Sequence, residues 1–329
     1  MITLNNIKYV RFCDEFYKTA DLCNGECKKC FEGKLYNSCS KERVKKEEVI
    51  LDRPLLVNWT ITGKCQNSCL YCYGTDITHC RIVLDKLKID EIISHLQYIR
   101  PKVVVISGGE PLLHPLLIYI IKRLNFCEII LDTNGIALNE EFIDTVQDKL
   151  HIRISLDSYK ECINGYLRRS SVMNSTNIII DNIRKCIKKD VAFSIQTVLT
   201  DVNYMEILEF GDYLIDLGVK LWRLLVVTPN TLKFNTYDCD NWINDAVGNI
   251  HKFALKNKDK IKIRLGNYAK YNGKGIILLD PEGRYYVRKI NEKTKSLIDE
   301  RRPYNPSAKE ILNSLDVMAH KERYLGERV

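Results

Sequence analysis

Three cysteines constrain this chain more than any other feature. Cys65, Cys69 and Cys72 stand in the run Gly63-Lys64-Cys65-Gln66-Asn67-Ser68-Cys69-Leu70-Tyr71-Cys72, just after a short apolar strand. The spacing C-x3-C-x2-C brings three thiolates onto one tight loop. Three thiolates hold three irons of a cubane cluster and leave the fourth iron without a protein ligand. An open metal position is what separates a chemical site from a structural one. Structural zinc normally takes four ligands as two pairs. A disulfide framework does not suit this chain of 329 residues, which is long enough for its own core and shows no signal peptide.

A second motif follows. Val103-Val104-Val105-Ile106 is a β-branched apolar run of the kind that forms a buried parallel strand. It leads into Ser107-Gly108-Gly109-Glu110-Pro111 and then a helix over Leu116 to Leu124, with Pro115 suited to its first turn. Strand, glycine pair and helix require backbone to approach something closely, with a carboxylate held beside it. Taken alone, this is an ordinary βα turn.

The residue before the third cysteine is aromatic, Tyr71, so the first motif reads C-x3-C-x-aromatic-C. The two motifs in this order resemble the radical S-adenosylmethionine (radical SAM) superfamily. The resemblance implies that Cys65, Cys69 and Cys72 hold a [4Fe-4S] cluster whose open iron is chelated by S-adenosyl-L-methionine. It further implies that the Gly108-Gly109-Glu110 segment binds the amino group of the methionine part, and that Tyr71, Asn134, Ser155, Asp157 and Arg168 also contact the cofactor. Plain turn chemistry is the alternative for Ser155 and Asp157, and a solvated surface the alternative for Arg168 and Arg169. The chemistry so implied is reductive cleavage of the cofactor to a 5′-deoxyadenosyl radical that abstracts a hydrogen atom.

The pattern repeats along the chain. Ile129 to Asp132, Leu150 to Ile154, Val191 to Leu199 and Leu221 to Val227 read as strands. Between them lie a helix capped by Asn139 with Glu140 and Glu141 in its first turn, a helix striped by Ile178, Ile179, Ile183 and Ile187, and a helix opened by an Asn203/Glu206 capping pair. Trp242 to Phe253 has helical spacing after an Asp240 cap. Residues 51–257 therefore read as six βα units, with every suspected polar motif at the C-terminal end of a strand. The resemblance implies an α/β fold, the partial (β/α)6 TIM-like barrel of radical SAM enzymes.

Residues 1–50 form a Cys-rich N-terminal extension. Cys23, Cys27, Cys30 and Cys39 are candidate ligands of an auxiliary site, a second iron–sulfur cluster or zinc, with Cys13 spare and free thiols the alternative. Cys127 and Cys186 read as buried small hydrophobes. Residues 258–329 read as an α+β appendage: a hairpin, Ile276 to Asp280 and Arg284 to Val287 around Pro281-Glu282-Gly283, then a helix over Ala308 to Arg323. The hairpin resembles the start of the SPASM or twitch extension of peptide-modifying relatives, but nothing after Cys239 is a cysteine, so any such extension has lost its clusters.

Composition sets the bounds. Thirteen cysteines in metal-like clusters fit a reducing cytoplasm. A net charge of +8 permits an acidic partner without demanding one. There is no stretch long enough to span a membrane and no recognisable nucleic-acid-binding motif. The reading is a radical SAM enzyme acting on a precursor peptide in ribosomal peptide (RiPP) maturation, by epimerisation or cross-linking, with an electron donor such as flavodoxin or ferredoxin. The alternatives are modification of a nucleotide or small-molecule cofactor, and a non-catalytic iron–sulfur electron-transfer or sensor protein.

Overall fold

The structure, a computed structural model, describes residues 2–4, 7–12, 15–19, 41–44, 51–72, 84–226, 239–266, 275–290, 297–302, 305–317, 319–320 and 323–324. Strands β1 (Ile2–Leu4), β2 (Ile7–Phe12), β3 (Glu15–Thr19) and β4 (Lys41–Val44) make an antiparallel meander that the sequence pattern did not disclose. The candidate auxiliary ligands Cys23, Cys27, Cys30 and Cys39 lie outside the described residues.

Among the described residues the principal sheet has ten strands. Strands β5 (Leu56–Thr60), β6 (Val103–Ser107), β7 (Glu128–Thr133), β8 (His151–Ser155), β9 (Phe193–Leu199), β10 (Leu221–Val226) and β11 (Lys262–Gly266) run parallel in sequence order. Helices cross over between them: α1 (Lys86–Ile99), α2 (Leu117–Arg123), α3 (Glu140–Val146), α4 (Glu161–Arg168), α5 (Ser175–Lys188), α6 (Ile207–Leu217) and α7 (Cys239–Lys256). At the other edge β12 (Ile277–Leu279) joins β5 in parallel, and β13 (Tyr285–Ile290) and β14 (Leu297–Arg301) continue antiparallel. Helix α8 (Ala308–Asn313) follows, opened by a Ser307/Glu310 capping box. The mostly parallel α/β sheet is the partial barrel anticipated. Beyond residue 257, β11 and β12 are strands of that same sheet.

Side chains alternate across each strand. On one face, Val57, Trp59, Val104, Ile106, Leu131, Ile152, Ile154, Trp222 and Leu224 pack under the helices in one large core. On the opposite, inner face, Leu56, Val103, Val105 and Ile130 pack with Leu51, Leu55 and Tyr324. From β7 to β11 the inner face also carries Asp132, Arg153, Ser155, Gln196, Arg223 and Arg264, with Val198, Leu221 and Leu225 among them.

Local chemistry explains the element ends. Asp85 accepts the Lys88 N–H to cap α1, and Asn139 accepts the Phe142 N–H to cap α3, as its sequence indicated. Gly218 closes α6 at φ 95°. Two expected caps are corrected. Asp240 lies inside α7, one residue past its start at Cys239. Asn203 makes no capping bond; its buried amide donates to the carbonyls of Asp157 and Val198. A buried amide satisfies two backbone carbonyls there, whereas a helix end beside solvent is satisfied by water. The helix expected over Ala308 to Arg323 is broken: α8 ends at Asn313 before a turn, and helical backbone resumes at 317, 319–320 and 323–324. No helix among the described residues is long and apolar enough to cross a membrane.

Candidate functional site

The site begins where β5 ends. The chain continues through the buried Ile61 and Thr62 into the cysteine loop. The loop after β6 docks against it backbone to backbone: the Gly109 N–H donates to the Thr62 carbonyl at 2.7 Å, and the Glu110 N–H to the Lys64 carbonyl at 2.7 Å. A Cβ on Gly109 would stand 2.2 Å from the Lys64 oxygen, and one on Gly108, at φ 152°, 2.4 Å from the Thr62 oxygen. The close approach that this glycine pair permits is therefore to the cysteine loop itself.

Glu110 has no exposed surface. Its carboxylate accepts from the Leu112 N–H (3.0 Å), the Thr133 hydroxyl (2.7 Å) and the Asn134 N–H (2.7 Å). It joins its own turn to the end of β7. Burial raises its carboxyl above the ordinary range, against those three donors. Asn134 carries the linkage back to the thiols: its Nδ2 lies 3.9 Å from Cys65 Sγ, and its Oδ1 accepts from Gln66 Nε2 at 3.4 Å.

The other flank of the cysteine loop is held by the end of α4. The Leu70 N–H donates to the Leu167 carbonyl at 2.9 Å, the Ser68 N–H to the carbonyls of Arg168 and Arg169, and the Ser171 N–H to the Gln66 carbonyl at 2.9 Å. An isolated bridge pairs Asn67 with Ser170. Below this seam Tyr71 donates to Asp157 Oδ2, and Arg168 Nη1 donates to the same oxygen and to the Tyr71 hydroxyl, each at 3.0 Å. Asp157 Oδ1 accepts the Val198 N–H at 2.8 Å, which ties the group to β9.

The structure thus gathers Cys65, Cys69, Cys72, Tyr71, Gly108, Gly109, Glu110, Asn134, Asp157 and Arg168 at one end of the sheet. Ser155 lies two residues before Asp157, in register with Gln196. Arg168 is buried, while Arg169 is the exposed left-handed cap of α4. Sequence reasoning missed Thr133, Asn164 and the Leu167–Ser171 seam. Asn164, in the middle of a short helix, donates to Thr176 and accepts the Asp157 N–H; a mid-helix Asn was its signal.

The thiols share one electrostatic neighbourhood: Cys65 and Cys72 both act on Cys69. Burial pushes the Cys69 thiol up to about 11 and raises that of Cys65. Among the described residues no three His, Cys, Asp or Glu side chains converge on a single-ion site. Beside the thiols, Gln66 Oε1, both amide atoms of Asn67 and Arg168 Nε are buried with no hydrogen-bond partner among the described residues. Buried polar groups normally have partners, so the loop fits a polar group bound against it.

The site is a three-thiol loop clamped at the C-terminal ends of parallel strands. Residues 59–214 match the model of the Radical SAM superfamily. It is 31% identical to GTP 3',8-cyclase of Clostridium perfringens over 159 residues, 46% of this chain and 48% of that protein. It is 30% identical to the S-adenosylmethionine-dependent nucleotide dehydratase RSAD2 of Siniperca chuatsi over 165 residues, 46% of this chain and 45% of that protein. The chain thus spans about half the length of these curated relatives. Among solved structures, anSMEcpe with bound AdoMet superposes at TM-score 0.63 and 15% identity, covering 84% of each chain. Streptococcus suis SuiB bound to S-adenosylmethionine does so at 0.60 and 14%, covering 72% of this chain and 60% of that one. At such identities the likeness is one of fold.

Proposed function

We propose that this chain is a radical SAM enzyme, with Cys65, Cys69 and Cys72 holding a [4Fe-4S] cluster and S-adenosyl-L-methionine bound beside it. The observation that carries the reading is the cysteine loop, held on one flank by Gly109 and Glu110 and on the other by the Leu167–Ser171 seam. When bound, cluster and cofactor together supply one-electron cleavage of a carbon–sulfur bond and a 5′-deoxyadenosyl radical that takes a hydrogen atom.

The chain's own residues prepare that chemistry. Loading displaces the protons that burial keeps on Cys65 and Cys69, so uptake is favoured as pH rises. Asn134 fixes Cys65, and Glu110 fixes Asn134. Asp157 and Arg168 hold the Tyr71 ring beside the thiols. Arg168 Nε and the Asn67 amide are the groups best placed to meet the cofactor's polar atoms. A flavodoxin or ferredoxin would deliver the electron. The four cysteines at 23, 27, 30 and 39 belong to a segment whose ends β3 and β4 bring together at Thr19 and Lys41, which supports an auxiliary cluster or zinc there.

Two substrate classes have support. A precursor peptide is supported by fold neighbours solved with peptides, SuiB with SuiA and anSMEcpe with Kp18Cys. A nucleotide is supported by the sequence relatives, a GTP cyclase and a nucleotide dehydratase. The test is anaerobic reconstitution followed by iron counting and assay of 5′-deoxyadenosine with S-adenosylmethionine and reductant. Product that vanishes in Cys69→Ala supports the proposal. Full iron content in the Cys65/Cys69/Cys72 triple alanine variant would overturn it.

A further inference from the structure

The Cys65 sulfur faces two N–H groups. The backbone N–H of Asn67 reaches Sγ at 3.3 Å, and the side-chain Nδ2 of Asn134 lies at 3.9 Å, a length that the large sulfur atom accepts. Asn134 comes from the end of β7, so this second donor belongs to a different loop from the thiol.

The orientation of the Asn134 amide is fixed at its other end. Oδ1 accepts the backbone N–H of Ile136 at 3.0 Å and Gln66 Nε2 at 3.4 Å. A backbone N–H can only donate, so the atom facing it is the amide oxygen, and the amide nitrogen is left toward the sulfur. The residue as a whole is held by its own backbone N–H, which donates to Glu110 Oε2 at 2.7 Å. Asn134 is 6% exposed, so little water competes for its amide.

A donor aimed at sulfur gains strength when that sulfur carries charge. Hydrogen bonds to an ionised acceptor are roughly twice as strong as bonds to a neutral one. Reduction of an iron–sulfur centre adds an electron that is shared by the metal and its sulfur ligands. Donors to those sulfurs therefore stabilise the reduced form more than the oxidised form, and raise the reduction potential.

We propose that Asn134 is a positioning residue that raises the potential of the iron–sulfur centre held through Cys65, by its Nδ2–H···Sγ contact, and that Gln66 orients its amide for that contact. The proposal rests on the radical SAM reading and adds to it what eases the entry of an electron. That electron comes from the external one-electron donor, and Asn134 itself gains and loses neither electron nor proton.

The experiment is a potentiometric titration of the anaerobically reconstituted chain, followed by electron paramagnetic resonance and made without S-adenosylmethionine. Asn134→Ser is the main variant. A serine hydroxyl still accepts the N–H two residues on and keeps the turn, but it is too short to serve Cys65 as well. This variant should take up wild-type iron and be about tenfold harder to reduce, a fall of about 59 mV for one electron. Asn134→Asp keeps the turn and puts an acceptor where the donor was, so its fall should be larger. Gln66→Leu leaves Asn134 in place and only releases its amide, so its fall should be smaller. It carries the test where the Asn134 variants load too little iron. Wild-type potential in Asn134→Ser, or in Gln66→Leu where that substitution carries the test, would overturn the proposal. So would an unchanged potential with weakened S-adenosylmethionine binding, which would make Asn134 a contact of the cofactor alone. A wild-type chain that takes up no reducible iron–sulfur centre would instead remove the radical SAM reading, and this proposal with it.

Discussion

Gly109 is the residue at which the two motifs become one site. Its Cα faces the Lys64 carbonyl so closely that any side chain displaces backbone. Gly109→Ala should lower stability by about 1–3 kcal/mol and sharply reduce iron uptake, read by denaturant melts and iron analysis. Gly248, in α7 with nothing near its missing Cβ, is the control: Gly248→Ala should gain up to about 1 kcal/mol through helix propensity. Arg168 is a second decisive residue. Removing it leaves Asp157, which is 1% exposed, as a buried carboxylate without its cation. Arg168→Ala should cost about 3–5 kcal/mol by the same melts. A loss under about 1 kcal/mol would mean that Asp157 is held by its Val198 bond and Tyr71 alone.

At the scale of elements, the C-terminal segment is built into the barrel. His320 is fully buried; its Nε2 accepts from the Leu55 N–H at 2.9 Å and the Leu56 N–H at 3.3 Å, and its Nδ1 donates to the Gly275 carbonyl at 2.8 Å. One ring thus joins the start of β5, the approach to β12 and the chain's last described turns. His320→Leu leaves these backbone groups buried without partners, at about 1–3 kcal/mol for each. We expect amide exchange to accelerate first at β5 and β12. Faster exchange confined to residues 319–324 would show that the histidine serves its own segment alone. On the opposite flank, the Leu167–Ser171 seam explains why the cysteine loop has a defined shape at all: it borrows hydrogen bonds from a helix end about a hundred residues downstream.

Over the whole molecule, the burial of His151, together with the charges of Arg153, Arg223 and Arg264 near it, sets a pH dependence. His151 ionises near 6.5 in the unfolded chain and near 3 in the fold. The unfolded chain therefore takes up a proton between those values that the native protein refuses. The stability this group contributes is complete above about pH 6.5 and is lost as pH falls toward 3, by up to about 1.4 kcal/mol per pH unit. Melting temperatures measured from pH 7 down to 5 should fall less steeply in His151→Gln than in the wild type. Equal slopes would show that the imidazole is not shielded from protons by the fold.

The cysteine spacing, the Gly-Gly-Glu turn and the parallel βα order were legible in sequence because each is a local pattern: loop length, β-branched runs and helical periodicity operate over neighbouring residues. Asn139 was read correctly for that reason, and Asn203 was misread for the complementary one. Its amide serves Asp157, far away in the chain but adjacent in space. The sequence pattern assigned no role to Arg153, Arg223 or Arg264. Strand register alone put Arg223 beside Arg264 and aimed both at the inner face. The chain by itself determined which chemistry is available, because three thiols on a short loop cannot be far apart. Only the tertiary structure decided what holds that loop, and what faces it across the barrel, because those contacts join strands that pair without regard to sequence distance.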